Sequence, residues 1–407
     1  MTHTRQAPAS AARGPVRATE RALAPDLARG FMLLFIALAN VAGLVFTVHN
    51  PGVDTTPHGW ERIVNVAMVL FVHGHAYPVF AVMFGYGLVQ LARRQRTAGA
   101  SPAAARNALV KRNAWLVVFG AAHGILLYFG DFLGAYGLVG IVAACVLLNR
   151  GDRFHRLVLW LWAFMLVEFV VLAVLAVRAL AVAGPATRPA TGHLASLEAS
   201  GYFEAVLARL TEWPAHTAFV VGFIFIAWLG MWAARRRMLE EPAAHRKLLI
   251  AATATGLGIG VAGSVPQALL SAGVLSTDDA AQSLILLLHN VGGMFAGPGY
   301  VAGFGLLALR LSRRTAQPTA RPVVGALTAL GRRSLSGYLF QSVVWLVLLQ
   351  PYTLNLGERL PNPTLAFLVV GAATWTATLL LAAALERRGR TGPAEALLRR
   401  LAYGAPR

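Results

Sequence analysis

His123 and Asp131 lie eight positions apart in the stretch AAHGILLYFGDFLGAYGLVG, whose other side chains are those of a helix packed in a bundle or facing lipid. Both groups cost free energy in hydrocarbon unless they are paired, hydrated or used. A histidine backed by a carboxylate is the arrangement of a general base: the imidazole takes a proton from a hydroxyl or amine and the carboxylate orients the ring. Two plainer readings stand beside it. Gly130 and Asp131 form a tight turn in which the carboxylate caps the following helix, and His123 hydrogen-bonds a backbone carbonyl.

Other polar groups interrupt apolar runs. His73 and His75 lie two apart and cannot share a helix face, which argues against a helical metal pair. Pro78 follows closely, so this long segment reads as a short interfacial helix and then the true crossing, with one of the two histidines facing a cavity. His289 and Asn290 precede AGPGY at 296–300, where Gly297, Pro298 and Gly299 are expected to unwind the helix, and broken helices at membrane depth line cavities. Glu168 sits deep in another apolar segment, as a cavity group or as one member of an assembly pair. Cys145 is the single cysteine, which leaves no disulfide framework and no thiolate metal site, and no metal is expected.

The elements that carry these groups are membrane helices. The chain has 407 residues, 57% hydrophobic and 13% charged, with the apolar residues in long blocks. Ten spans are predicted, near 30–48, 64–92, 113–129, 131–149, 157–184, 217–234, 248–274, 283–310, 334–350 and 363–385. The net charge of +19 is concentrated in every second connection, from Arg93–Arg112 to Arg387–Arg407. That alternation argues against nucleic acid as the partner and, by the positive-inside rule, places both termini in the cytoplasm. The expected architecture is all-α: a polytopic membrane helical bundle of about ten transmembrane helices. A disordered basic segment (1–28), a transmembrane domain (29–386) and a basic tail (387–407) divide the chain. Gly120 with Gly124, and Gly130 with Gly134, are small-xxx-small pairs that let the third and fourth helices approach closely.

Arg29, Arg112, Arg332 and Arg333 flank apolar segments on the basic side. Their ordinary role is orientation and binding of lipid headgroups. Their functional reading is a cradle for phosphates, which arginine binds in a bidentate manner. Tyr338 and Gln341 follow on the same segment and are candidates to line a cavity, together with His73, His75, Glu168 and His289.

The ordered set DLARGFMLLFIALAN, FAVMFGYGL, GAAHGILLYFGDFLGAYGLVG, GRRSLSGYLFQS and GPAEALLRR closely resembles the YeiB-like family of bacterial inner-membrane proteins, a domain of unknown function, over residues of about 24 to 401. The chain departs from the family pattern with LFIALAN after the Arg-Gly leader and with SLSGY in place of a Leu-Thr-Asn-Tyr run. The family is distantly similar to transmembrane acyltransferases, including the lysosomal heparan glucosaminide acetyltransferases. Those enzymes share an Asp-x-x-Arg-Gly opening, matched here by Asp26, Arg29 and Gly30, and use a histidine beyond the first span, for which His58 is the counterpart.

The resemblance implies acyl transfer from cytoplasmic acyl-CoA to a small or lipid-linked hydroxyl or amine, with His123 or His58 as base and Asp131 orienting it. A transporter or flippase is the alternative, favoured by the interrupted segments and Glu168, although the halves carry no matching breaks of an inverted repeat. A subunit of a larger envelope complex, without chemistry of its own, is the third.

Overall fold

The computed structural model describes residues 22–46, 58–184, 194–314, 317, 319, 321–360 and 362–404, and all regular structure among them is helical. In chain order the helices are α1 (Leu23–Val45), α2 (Trp60–Phe71), α3 (Ala76–Thr97), α4 (Pro102–Leu126) and α5 (Leu133–Val142), which a π turn (Ala143–Leu147) continues. Next come α6 (Asp152–His155), α7 (Leu157–Ala181), α8 (Ala195–Glu198), α9 (Tyr202–Val221), α10 (Ile224–Arg235) and α11 (Arg246–Ser271). The last third holds α12 (Asp279–Arg314), α13 (Pro322–Arg332), α14 (Ser334–Leu349), α15 (Leu356–Arg359), α16 (Pro363–Arg387) and α17 (Pro393–Tyr403).

Six helical stretches are long and apolar enough to cross a membrane, and the pair α9 and α10, bent by 46°, adds a seventh. Trp160 and Phe164 of α7 are 75% and 71% exposed, and Phe219 of α9 is exposed as well, which is the surface of a protein whose solvent is lipid. The chain is a membrane protein. The expected ten spans each contain helix, but length and composition do not carry the count to ten. The first half of α4 carries Arg106, Lys111 and Arg112. With 16 residues, α14 rises about 24 Å, short of a hydrocarbon core of roughly 30 Å.

Glycines set the closest helix contacts. A Cβ at Gly120 of α4 would sit 2.0 Å from the Gly134 nitrogen of α5, and one at Gly30 of α1 would sit 2.0 Å from the Leu327 carbonyl oxygen of α13. Backbones therefore touch there, as the small-residue pattern predicts. The expected interruption between α2 and α3 is present: Gly74 turns the chain with φ +72°, which favours glycine.

Two expectations are corrected, and a third gains detail. The glycines and proline at 297–299 do not unwind the helix, for α12 runs continuously from Asp279 to Arg314 with Pro298 inside it. Gly297 lies against Pro78 and Gly299 against Gly256, so the small residues admit neighbouring backbones and packing holds the helix through the missing N–H. Of the segment 1–28, residues 1–21 lie outside the described residues. Leu23 to Ala28 are not disordered: they form the first turns of α1, with Ala24, Leu27 and Ala28 buried. The expected basic tail contains α17, which buries Leu398 and Ala402. Its Glu395 accepts the Leu335 and Ser336 N–H groups at 2.9 and 3.2 Å, capping α14.

Candidate functional site

The end of α4, the turn after it and the middle of α14 bring three buried polar side chains into one line. His123 Nδ1 lies 2.8 Å from Asp131 Oδ1, and His123 Nε2 lies 2.8 Å from Ser342 Oγ. Asp131 is fully buried, and His123 and Ser342 nearly so. The other Asp131 oxygen accepts the Gly134 N–H at 2.7 Å and the Trp213 indole N–H at 3.4 Å. Asp131 thus hydrogen-bonds the first turn of α5 and His123 at once. Gly120 makes this possible, because a Cβ there would meet Asp131 Oδ2 at 2.6 Å. The Tyr338 ring lies over His123, with centroids 4.8 Å apart.

Sequence reasoning does not find two members of this group. Ser342 closes the quoted motif GRRSLSGYLFQS and stands one helical turn after Tyr338, which puts both on one face of α14. Trp213 stands in a Trp-Pro pair on α9, where nothing local marks it.

Tyr338 also forms part of the wall of a cavity of about 420 Å³. The cavity is lined by Arg29, Arg112 and Arg332 at the basic end of the bundle, by Phe80, Phe84 and Leu133 along its length, and by Asn40 beyond them. Two further cavities, about 440 and 200 Å³, adjoin it, and Arg112 lines all three. Arg112 and His123 are eleven residues apart on α4, a rise of about 16 Å. Arg29 donates to the Met83 carbonyl at 3.1 Å and lies 3.8 Å from Asp26, and Arg332 pairs with Glu386 at 2.9 Å. Arg333 differs from these three. Its guanidinium bonds Glu386 at 2.6 Å, the Ala329 carbonyl at 3.1 Å and the Arg390 carbonyl at 2.5 and 3.2 Å, which ties α14 to the end of α16. At this end the buried Tyr403 hydroxyl of α17 is held above its ordinary pKa by desolvation.

The remaining candidates lie elsewhere. His75 and His289 meet edge to face at 5.9 Å behind Gly74, and His289 Nδ1 is 2.9 Å from Ser264 Oγ. His73 is half-buried beside them, and its Nε2 has no hydrogen-bond partner. Gln341 is buried, and its amide reaches the Leu33 carbonyl only at 3.5 Å. Glu168 does not line a cavity: it is exposed on the outer face of α7, beside Val167 and Val171. Because α7 is apolar all round, sequence periodicity gives no sign of which face the carboxylate takes. His58 is exposed just ahead of α2, its backbone N–H donating to Glu61 at 2.9 Å, and it does not join the His123 group. Among the described residues no group of three or more His, Cys, Asp or Glu side chains is arranged to hold a metal ion.

Comparison with known proteins adds the family. Residues 233–405 match the model of the protein of unknown function DUF418. The uncharacterized protein YxaH of Bacillus subtilis is 27% identical over 82% of this chain and 80% of its own length. An uncharacterized 39.9 kDa protein of Bacillus acidopullulyticus is 31% identical over 31% of this chain and 34% of its own length. The uncharacterized protein YeiB of Escherichia coli is 33% identical over 30% of each. The alignments thus span about a third of two of these relatives and four fifths of the third. The match over residues 233–405 and the similarity to YxaH and YeiB support the resemblance of this chain to the YeiB-like DUF418 family.

Proposed function

We propose that the protein is a transmembrane acyltransferase of the bacterial cytoplasmic membrane, moving an acyl group from cytoplasmic acyl-CoA to a small or lipid-linked hydroxyl or amine. The observation that carries this reading is the cavity of about 420 Å³ lined by Arg29, Arg112 and Arg332 and by Tyr338, whose ring lies against His123. A nucleotide's phosphates suit the arginine end, since guanidinium groups bind phosphate in a bidentate manner. The apolar shaft suits a thioester arm, and Arg112 and His123 stand about 16 Å apart along α4. In this reading His123 is the general base, Asp131 holds its ring, and Asp26 aligns Arg29. His58 has no part in it. Counting α4, α5 and α14 as crossings alongside the seven apolar candidates gives ten, with both termini and the basic clusters in the cytoplasm. Membrane lipids surround the exposed apolar faces.

The test is calorimetric binding of acetyl-CoA and longer acyl-CoAs to detergent-purified protein. Saturable binding that is weakened at least tenfold in Arg112→Ala and retained in His123→Ala is expected. Wild-type protein that binds none of them refutes the reading.

One observation favours transport instead. His73, His75 and His289 cluster at the break between α2 and α3, where a proton-coupled carrier would keep titrating groups. Substrate flux that follows an imposed pH gradient in vesicles, without acyl-CoA, would select that reading.

A further inference from the structure

Within the acyl-transfer reading, on which this inference rests, we propose that Ser342 is a nucleophile that carries the acyl group covalently. A hydrogen bond that merely ties α14 to α4 needs two groups, yet here acid, base and hydroxyl stand in order, with 2.8 Å from Asp131 to His123 and 2.8 Å from His123 to Ser342. With Nδ1–H directed to the carboxyl oxygen, Nε2 presents its lone pair to Oγ. A helical serine ordinarily donates to the carbonyl four residues back. In Ser342 that contact, to Tyr338, is stretched to 3.3 Å, and the imidazole is the nearer acceptor. Hydroxyl, base and orienting carboxyl stand within hydrogen-bond reach in that order, the arrangement by which activated serines are recognised on unrelated folds. One turn beyond Ser342, α14 also buries the Trp345 indole N–H, a donor with no partner and available to an oxyanion. Tyr338 stands between the array and the cavity, so a rotation of that one ring joins them.

The reaction is a double displacement. His123 Nε2 takes the Ser342 proton as Oγ bonds the thioester carbonyl carbon; the C–S bond breaks, and the imidazolium returns the proton to the thiolate, releasing CoA. The acceptor hydroxyl or amine then loses its proton to Nε2 and bonds the acyl carbon, the ester C–Oγ bond breaks, and the proton returns to Oγ.

Two reagents test this on the full-length protein in detergent. A fluorophosphonate modifies activated serines without any acyl-CoA, and acetyl-CoA followed by an acid quench traps an acetyl-enzyme. Peptide mass analysis is expected to find both adducts on Ser342, with none at this position in Ser342→Ala. His123→Ala is expected to slow phosphonylation by about a thousandfold or more, and Tyr338→Ala to accelerate it by opening the wall. Ser342→Cys guards against misfolding of the alanine variant, and is expected to hold its acetyl group as a thioester that neutral hydroxylamine cleaves. Phosphonylation of Ser342 with no acetyl transfer supports the nucleophile and removes acyl-CoA as donor. Acetyl transfer by Ser342→Ala at the wild-type rate overturns the nucleophile and keeps the acyltransferase. Absence of both adducts in wild type and in Tyr338→Ala overturns the proposal.

Discussion

Replacing Asp131 separates what it does for the fold from what it does for His123. Three donors converge on its two oxygens: His123 Nδ1, the Gly134 N–H and, at a longer 3.4 Å, the Trp213 indole. In Asp131→Ala two of these donors, on the buried His123 and Gly134, are left in a site that is closed to water. A buried donor without an acceptor costs about 1–3 kcal/mol, so the total is roughly 2–6 kcal/mol, a large share of the roughly 5–15 kcal/mol that holds a typical domain together. Asp131→Ala is therefore expected to unfold at a much lower temperature or to fail to accumulate. Asp131→Asn keeps the shape. Its oxygen still accepts the Gly134 N–H, but its amide group turns toward His123 and donates to Nδ1. The imidazole proton then moves to Nε2, facing Ser342 with a hydrogen in place of a lone pair. The stability cost is the difference between a charge-assisted and a neutral bond, about 1–2 kcal/mol. The reactivity cost is far larger, since the same exchange in serine hydrolase triads lowers turnover about 10⁴-fold. The assay pairs the thermal midpoint in detergent with the rate of Ser342 phosphonylation across pH. An Asp131→Ala protein that melts with the wild type would refute the account of a closed acceptor. An Asp131→Asn protein labelled at the wild-type rate would refute the tautomer argument.

Three further outcomes follow from the packing and the charges. Gly120→Ala forces α4 and α5 apart, because its Cβ meets backbone at 2.0 and 2.4 Å; a loss of about 1–3 kcal/mol in thermal stability, with slower Ser342 labelling, is expected. Glu168→Leu removes an ionisable group from the outer face of α7, so the thermal midpoint is expected to hold or rise and labelling to stay at the wild-type rate; loss of either would place Glu168 in the working site. Asp278 accepts the Ala281 and Gly184 N–H groups at 3.0 and 2.9 Å ahead of α12, and these bonds hold its pKa below the ordinary carboxylate value. A depressed folded pKa means that its stabilisation is complete above about pH 4 and fades as pH falls through the lower folded value. The protection factors of amides in the first turn of α12, which remove the intrinsic pH dependence of exchange, are expected to fall over that acid range in the wild type and to stay level there in Asp278→Asn.

The helices and several of their contacts are legible in the sequence because apolar blocks, glycine spacing and the Gly74 and Pro78 signals are local. So is the pairing of His123 with Asp131, which needs only one hairpin. Ser342 is not, since it lies 219 positions after His123 and its motif offers Ser334 and Ser336 as equals. The continuity of α12 is hidden for a different reason. A Gly-Pro-Gly run weakens an isolated helix, and only the close approach of α11 and α3 shows that the weakness is offset by packing. Arg333 reads as a phosphate ligand beside Arg332, yet the Ala329 carbonyl of α13 and the Arg390 carbonyl of the loop after α16 claim its donors, and the second of these is 57 residues away in sequence.

That same separation has a meaning for biosynthesis. His123 and Asp131 emerge from the ribosome and enter the bilayer well before α14 is made, so the base is assembled first and the hydroxyl it acts on arrives last. Until the C-terminal helices insert and dock, Ser342 is an ordinary alcohol, and a truncated or misinserted chain carries no reactive group. Appearance of the serine's reactivity during synthesis would therefore time the completion of membrane assembly, and a chain stalled before α14 would stay chemically silent.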